Sequence, residues 1–494
     1  MKINGVKVSR MAGMGLTHNE MTGIPSIIFI YAIFLAYPLA FHDYYYDIVT
    51  CKYVLLIAMT LMLSIFTLLL DGKIYLKKMY LQPSDYIVLC LFFINLLSVA
   101  GSEYKFYALN GADGRFNGLV TVFLYVLIYF ILSRGDFNKD KICLVLAAGS
   151  ILVSVLGILN FADIDILGFY NGLEMDQKQF YMSTIGHVNV YSSYFALTVP
   201  VLMIRYLEGG KMKQTIFYFV ALLVNVLALL CGGCESAAII IITAVVCSVL
   251  YCKGLHMRKW ICLLVFVLAL NKVFIYINEQ SAEQRVLSNT VKILGDNRVV
   301  AAVILICVGL IPAEILLHQK ERGKTVKYAV VFISSLFIII YLAAFIYFTF
   351  IDRKAELHGM EVFLRFSDEF GSYRGYIWKV VVREFHKLSP YQMLFGIGTD
   401  TLRPYLVDRY GADMYNVTMA YYDNAHNEFL QYLITTGIAG ISAYVSFLVM
   451  QIRKSLGQTD KIILCSVICY IVQSVVNINQ VVTTPLFVVM LSML

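Results

Sequence analysis

Asp423-Asn424-Ala425-His426-Asn427-Glu428 runs straight into an apolar stretch. Asn or Asp at such a place starts a helix, and acids favour its first turn. Capping accounts for the Asp, the Asn and the Glu, but not for the His. On a helical wheel Leu433, Gly437 and Gly440 fall within about 40° of His426, and glycines on that face let a neighbouring helix approach closely. The imidazole is therefore expected to point into a helix bundle at its mouth, where it can act as a general base or acid near neutral pH.

A second segment, Ser372 to Lys387, has helical spacing. Arg374, Trp378, Val381 and Phe385 share one face, within about 40°, while Lys379, Arg383 and Lys387 share the opposite one. A basic face in solvent explains the last three. It does not explain Arg374 at the head of the apolar face, where a cation must snorkel or find an anion such as a lipid phosphate. Arg115 lies in Gly111-Ala112-Asp113-Gly114-Arg115-Phe116-Asn117-Gly118, glycines for close backbone approach beside a forked donor; an interfacial anchor in a turn fits it equally. Ile185-Gly186-His187-Val188-Asn189 reads as a polar helix start aimed at a ligand, although Asn189 could also be polar packing between helices. Gly396-Ile397-Gly398 lacks the third glycine and the preceding strand of a nucleotide site. Cys231 and Cys234 have neither a second pair nor a nearby His, and most other cysteines sit in apolar runs as small hydrophobes. With no Walker motif and no acidic pair at metal-ligand spacing, neither a metal nor a cofactor is expected.

These residues must be positioned by elements built for lipid. The chain is 60% hydrophobic and 14% charged, with a mean hydropathy of +0.75. A soluble domain of this length carries about 25% charged residues. The net charge of +7 is scattered in short clusters, so it gives no nucleic-acid footprint. Apolar runs near 24–42, 53–70, 85–100, 119–133, 142–160, 188–204, 215–231, 236–251, 261–277, 299–317, 328–350, 428–450, 462–478 and 482–494 are long enough, or nearly so, to span a bilayer as helices. The expected fold is thus all-α: a polytopic membrane helix bundle of about fourteen transmembrane helices (twelve to fourteen). It divides into helices 1–11 over residues 1–350, a large polar loop at 351–427, and C-terminal helices over 428–494. Connections at alternate ends hold 22 Lys/Arg against 7 in the short ones opposite, which places both termini in the cytoplasm and the loop outside it. The loop has 77 residues, with nine Lys/Arg, ten Asp/Glu and three His, and helical spacing of Trp, Phe, Tyr and Val; it should be folded and partly helical. The first apolar run continues past the length of a cleavable leader, so an uncleaved first helix is expected.

His426-Asn427-Glu428-Phe429-Leu430-Gln431-Tyr432-Leu433, followed by Thr436-Gly437-Ile438-Ala439-Gly440, resembles the signature of the O-antigen ligase and O-antigen polymerase superfamily. Arg374 with Ile377-Trp378 and then Gly396-Ile397-Gly398 resembles the stretch before it. Gly186 to Asn189 with Pro200, and Arg115 with Gly118, resemble its earlier motifs. The likeness runs from about residue 110 to 480 and is strongest over 373–440. Members are multi-spanning glycosyltransferases that move a glycan from undecaprenyl pyrophosphate to a hydroxyl outside the bacterial cytoplasmic membrane, without a metal. The resemblance implies that His426 assists the acceptor hydroxyl and that Arg374 and Arg115 hold the pyrophosphate. His426 and Arg374 are then the candidate catalytic residues, and Arg115, Asn189, His187, Asn427 and Trp378 the candidate substrate-binding ones. The implied partners are a lipid-linked glycan donor, a glycan or glycolipid acceptor and the bilayer. The departure is Cys234-Glu235-Ser236-Ala237, where the family often has Ser-Arg; Glu235 cannot bind phosphate as an arginine does. A lipid-linked oligosaccharide flippase or other polysaccharide transporter is the alternative; it should show paired halves and broken helices near the midplane, and no internal repeat is evident. Nothing in the sequence separates ligase from polymerase.

Overall fold

A computed structural model describes residues 23–78, 81–252, 257–280, 284–316, 319–357, 360–419 and 421–494. The connection 1–23, used for its positive charge, lies almost wholly outside the described residues, as do parts of 71–84, 252–260 and 318–327. A helix stands at each of the fourteen apolar runs. In order these are α1 (Ile24–Leu39), α2 (Ile48–Lys78), α3 (Pro83–Ala100), α4 (Leu119–Leu132), α5 (Lys139–Phe161), α6 (Val188–Glu208) and α7 (Met212–Cys231). Then follow α8 (Ser236–Tyr251), α9 (Met257–Gln280), α10 (Asn297–Leu316) and α11 (Gln319–Ile346), and, after two loop helices, α14 (Glu428–Leu456), α15 (Ile462–Ser474) and α16 (Thr484–Ser492). Eight helices among the described residues are long and apolar enough to cross a membrane, and four shorter apolar ones accompany them. The protein is a polytopic helical membrane protein.

Which helices face lipid and which face one another follows from their polar content. Helix α6 is the axis of the bundle: nearly every residue from Val190 to Leu207 is buried, and it packs against α5, α7, α8 and α15. Several of its polar side chains are met from those neighbours. Thr198 Oγ1 donates to Asn225 Oδ1 on α7 (3.0 Å), and Asn225 Nδ2 reaches Ser150 Oγ on α5 (3.2 Å). In hydrocarbon an unmet polar group costs several kcal/mol, roughly, so this pairing fixes which faces meet. At the other extreme, the apolar stretch Lys327–Ile351 has no buried residue among those whose burial is described, as suits a helix on the lipid boundary.

Helix α16, at nine residues, rises only about 14 Å, half the ~30 Å hydrocarbon core. The segment nevertheless runs between the two ends of the bundle. Asn479 O accepts from Asn117 Nδ2 (2.8 Å) at the end that carries residues 351–427, and Leu494 O accepts from Gln458 Nε2 (2.7 Å) at the other. It is enclosed by protein, so it need not match the bilayer.

Residues 351–427 fold onto the bundle mouth. Helices α12 (Phe370–Phe385) and α13 (Leu402–Thr418) lie here with shorter turns at Glu361–Leu364 and Pro390–Phe395. Ile377, Val380 and Val381 of α12, with Leu402, Tyr405 and Leu406 of α13, make an apolar cluster that takes in Ile434 of α14. Three of the residues with helical spacing, Lys379, Arg383 and Lys387, are exposed, as expected.

Two parts of the mouth differ from what spacing alone suggests. Helix α14 is broken at Gly437 (φ 70°, ψ −173°). The carbonyls freed by the break are taken by an irregular segment of the loop: Ile397 N–H donates to Ile434 O and Gly398 N–H to Thr435 O, both at 3.1 Å. Ser98 Oγ adds a third donor at 2.6 Å. This crossing, not a nucleotide, explains Gly396-Ile397-Gly398. A Cβ on Gly396 would stand 2.2 Å from the Thr435 carbonyl group, and one on Gly437 2.3 Å from that of Leu394. Helix α12 is also irregular at its start, where Gly371, Ser372 and Tyr373 all have φ near +60° (59°, 59° and 65°), so its regular turns begin at Arg374.

Candidate functional site

The site is assembled from four chain segments at the loop end of the bundle, and each is pinned by its own hydrogen bonds. His426 does not sit on α14. The helix begins at Glu428, and His426 stands two residues ahead of it with φ +45°. The wheel relation to Leu433, Gly437 and Gly440 therefore fails, because a left-handed residue at one end and the Gly437 break within separate the three phases. The imidazole is directed inward by other means. Asn424 Oδ1 accepts from His426 N–H (2.7 Å), Gln431 Oε1 from Ala425 N–H (3.0 Å), and Ala425 O from Trp378 Nε1 (2.9 Å). A non-glycine residue at positive φ costs roughly 1–3 kcal/mol, and these bonds over-determine it. His426 Nδ1 is buried and without a hydrogen-bond partner among the described residues, and Tyr422 stands edge-on to the ring at 5.5 Å.

Asn427 is the helix cap: its Oδ1 accepts from Leu430 N–H (3.0 Å). The cap falls here rather than on Asp423 or Asn424, since the chain is still in a turn at those residues. Trp378 ties α12 to the His426 turn through its indole N–H, and its ring packs near Phe366 and Phe370.

Arg374 and Arg115 have opposite surroundings. Arg374 is largely buried. Its Nη1 donates to Gly371 O (2.7 Å), its Nε is buried with no hydrogen-bond partner, and no carboxylate lies within ion-pair distance among the described residues. Burial pulls its pKa below the ordinary arginine value. Arg115, 1% exposed, is held by two carboxylates: its Nε lies 3.3 Å from Asp400 and its Nη1 3.3 Å from Asp423. Asp400 also accepts Ala112 N–H (2.8 Å) and Asn117 N–H (3.0 Å), closing the glycine-rich turn around Arg115. Burial raises the Asp400 pKa despite Arg115. For Asp423 burial also acts upward, but Arg115 and His426 outweigh it and hold the carboxylate below its usual range.

His187 Nδ1 accepts from Asn189 N–H (3.2 Å), capping α6 and leaving the proton of the neutral ring on Nε2. Asn189 Oδ1 accepts from Cys234 Sγ (3.2 Å), and its carbonyl takes Asn477 Nδ2 (2.7 Å). Burial, then the field of Arg374, favours neutral His187 against the pull of Asp423. For His426 the same two causes, in that order, push its pKa down to about 3, with Arg115 and His187 adding and Asp423 opposing. Those mutual fields show that Arg115, His187, Arg374, Asp423 and His426 are brought together in space.

Sequence reading missed Asp400 and gave Asp423 no more than a cap. No local pattern marks either, because each is defined by Arg115, almost three hundred residues away for Asp400 (a separation of 285). Glu235, standing where an arginine was looked for, accepts Asn289 N–H (2.8 Å) at the start of the short helix Asn289–Gly295. It does a capping residue's work, and no cation replaces it there.

Arg115 and Asp400 border a cavity of about 50 Å³ of mixed lining, with Asn95, Thr121 and Gln431 among its polar groups and Val122, Tyr125 and Tyr432 among its larger apolar ones. No curated protein matches the chain in sequence. Residues 291–445 match the family model described as O-antigen ligase. The matched stretch contains Arg374, Trp378, His426 and Asn427; Arg115, His187 and Asn189 lie outside it and join the site through the fold. The match supports a glycan-processing role in a membrane, and with it the resemblance to the O-antigen ligase superfamily read over residues 373–440.

Proposed function

We propose that this protein is a membrane glycosyltransferase that moves or polymerises an oligosaccharide from undecaprenyl pyrophosphate onto an acceptor hydroxyl, with inversion and without a metal. The loop end of the bundle lies outside the cytoplasmic membrane and both termini inside it, as the distribution of Lys and Arg indicates. Residues 1–350 and 428–494 form the membrane part, and 351–427 the outer loop.

The observation that carries this reading is the state of Arg374. A largely buried guanidinium has five N–H donors, and Arg374 has a single protein acceptor and no counter-ion among the described residues. An uncompensated buried charge costs several kcal/mol, roughly. A site that keeps one is built for an anion, and the charge of a pyrophosphate leaving group grows in the transition state, where such a donor is worth most. His426 takes the proton of the acceptor hydroxyl, the acceptor oxygen bonds to the anomeric carbon, and the bond from that carbon to the pyrophosphate oxygen breaks with its electron pair. Burial, then the field of Arg374, makes His426 a weak base; a bound pyrophosphate offsets the field of Arg374, so basicity rises when the donor is in place. Asn189 and His187 would contact the substrate from the start of α6, and Asn427 and Trp378 fix the His426 turn. Arg115 supports it through Asp423.

Purified protein with an undecaprenyl-pyrophosphate oligosaccharide, in the presence and absence of EDTA, tests this. General acid–base catalysis contributes about 10²–10⁴-fold, so His426→Ala should lower transfer by that factor while donor binding persists, and His426→Gln should not restore it. Near-normal turnover by the Ala variant would remove His426 from the mechanism, and loss of wild-type transfer in EDTA would show that a metal is required.

A further inference from the structure

We infer that Asp423 is a positioning residue for the reaction: held by Arg115, its carboxylate is the counter-charge for the imidazolium that His426 becomes on taking the acceptor's proton. The inference rests on the proposed role of His426 and goes beyond it in assigning the group that stabilises the protonated ring.

The geometry is one of successive anchoring. Asp400 is fixed by two backbone N–H groups and by Arg115 Nε, so the guanidinium has little freedom. Arg115 Nη1, without a hydrogen-bond acceptor of its own, stands 3.3 Å from Asp423 Oδ2. Asn424 Nδ2 donates to Asp423 Oδ1, and Asn424 Oδ1 accepts the His426 backbone N–H. Asp423 and His426 are thus tied through one side chain, in a turn that Trp378 and Gln431 also hold. The Asp423 side chain is 37% exposed against 2% for Arg115, so the carboxylate reaches from the buried cation out into the site.

The charges around the ring leave one group for this task. Among the described residues whose fields reach it most strongly, Arg374, Arg115 and His187 act against a positive charge on His426, and Asp423 acts for it. A proton taken from the acceptor would otherwise arrive among two guanidiniums. A carboxylate that orients and stabilises a catalytic imidazolium is a recurring arrangement, and here the atoms balance without any further reactant: the proton moves from the acceptor oxygen to His426, and no proton passes to Asp423.

The bland alternative is that Asp423 only neutralises Arg115. The two differ in pH dependence. Asp423 favours the protonated ring, so Asp423→Asn should move the acid limb of kcat to lower pH and lower kcat by roughly 10-fold or more, with the KM for the lipid-linked donor not raised. Asp423→Glu keeps the charge and should keep the limb near its wild-type position. Arg115→Gln removes a cation that opposes the imidazolium and frees Asp423, so its limb should move the other way, to higher pH. This opposite shift keeps the test usable if Asp423→Asn does not fold. A limb that stays put in the charge-removing variants, whatever their stability, overturns the inference. His426→Ala is assayed beside them: if it retains turnover the proposed function falls, whereas an inactive His426→Ala with unmoved limbs overturns the role of Asp423 alone.

Discussion

Gly437→Ala is the perturbation that most directly tests how the loop is fastened to the bundle. At φ 70° and ψ −173° Gly437 occupies a region that is in practice glycine's alone, and holding another residue there costs about 1–3 kcal/mol. The new methyl would also lie 2.3 Å from the carbonyl carbon and oxygen of Leu394 and 2.5 Å from the nitrogen of Phe395. Those are backbone atoms that cannot rotate away, and overpacking of this kind adds about 1–3 kcal/mol. The total, roughly 2–6 kcal/mol, is a large part of a typical folding free energy of about 5–15 kcal/mol. Gly411→Ala, within α13, is the control. Its methyl would meet nothing nearer than Val407 Cγ1 at 3.8 Å, an ordinary contact, in a helical backbone. There Ala exceeds Gly in stability by about 0.5–1 kcal/mol. Unfolding in detergent, followed by heat or denaturant, should show a large loss for Gly437→Ala and no loss for Gly411→Ala. Because Gly398 bonds Thr435 two residues before Asp400, glycan transfer should fall in Gly437→Ala even where the protein remains folded. Wild-type melting and transfer by Gly437→Ala would refute the crossing as the fastening.

Three further outcomes are expected. Arg374→Ala should abolish glycan transfer while Arg383→Ala, on the exposed face of α12, leaves most of it; equal losses would point to a diffuse basic surface. Burial and Arg374 push the His426 pKa down to about 3, and the ring must be neutral to act. The acid limb of kcat/KM for the donor, which reports the free protein, should therefore lie well below the usual histidine range near ~6.5, and that of kcat at higher pH, since bound pyrophosphate offsets Arg374; coincident limbs near the ordinary value would refute the field of Arg374. In a cysteine-free background of intact cells, an impermeant thiol reagent should label Lys379→Cys and not Lys213→Cys, and the reverse pattern would place the site on the cytoplasmic side.

The sequence by itself determined the bundle. Fourteen apolar runs became fourteen helices because hydropathy is local and additive: about twenty apolar residues have one stable conformation in lipid whatever surrounds them. It also marked Arg374 and His426, because a charge on an apolar face and an imidazole among capping residues are anomalies within a few residues of sequence. What it could not determine were relations between distant segments. The helical phase assigned to His426 was wrong, since one left-handed residue and one broken turn reset it, and neither leaves a mark in spacing. Arg115 was read as a ligand for phosphate, yet the folded chain gives it Asp400 and Asp423; Arg374, with the same side chain, is left without a counter-ion among the described residues. Which cation is neutralised and which is left for an anion depends on where carboxylates hundreds of residues away come to rest, and only the tertiary structure decides that.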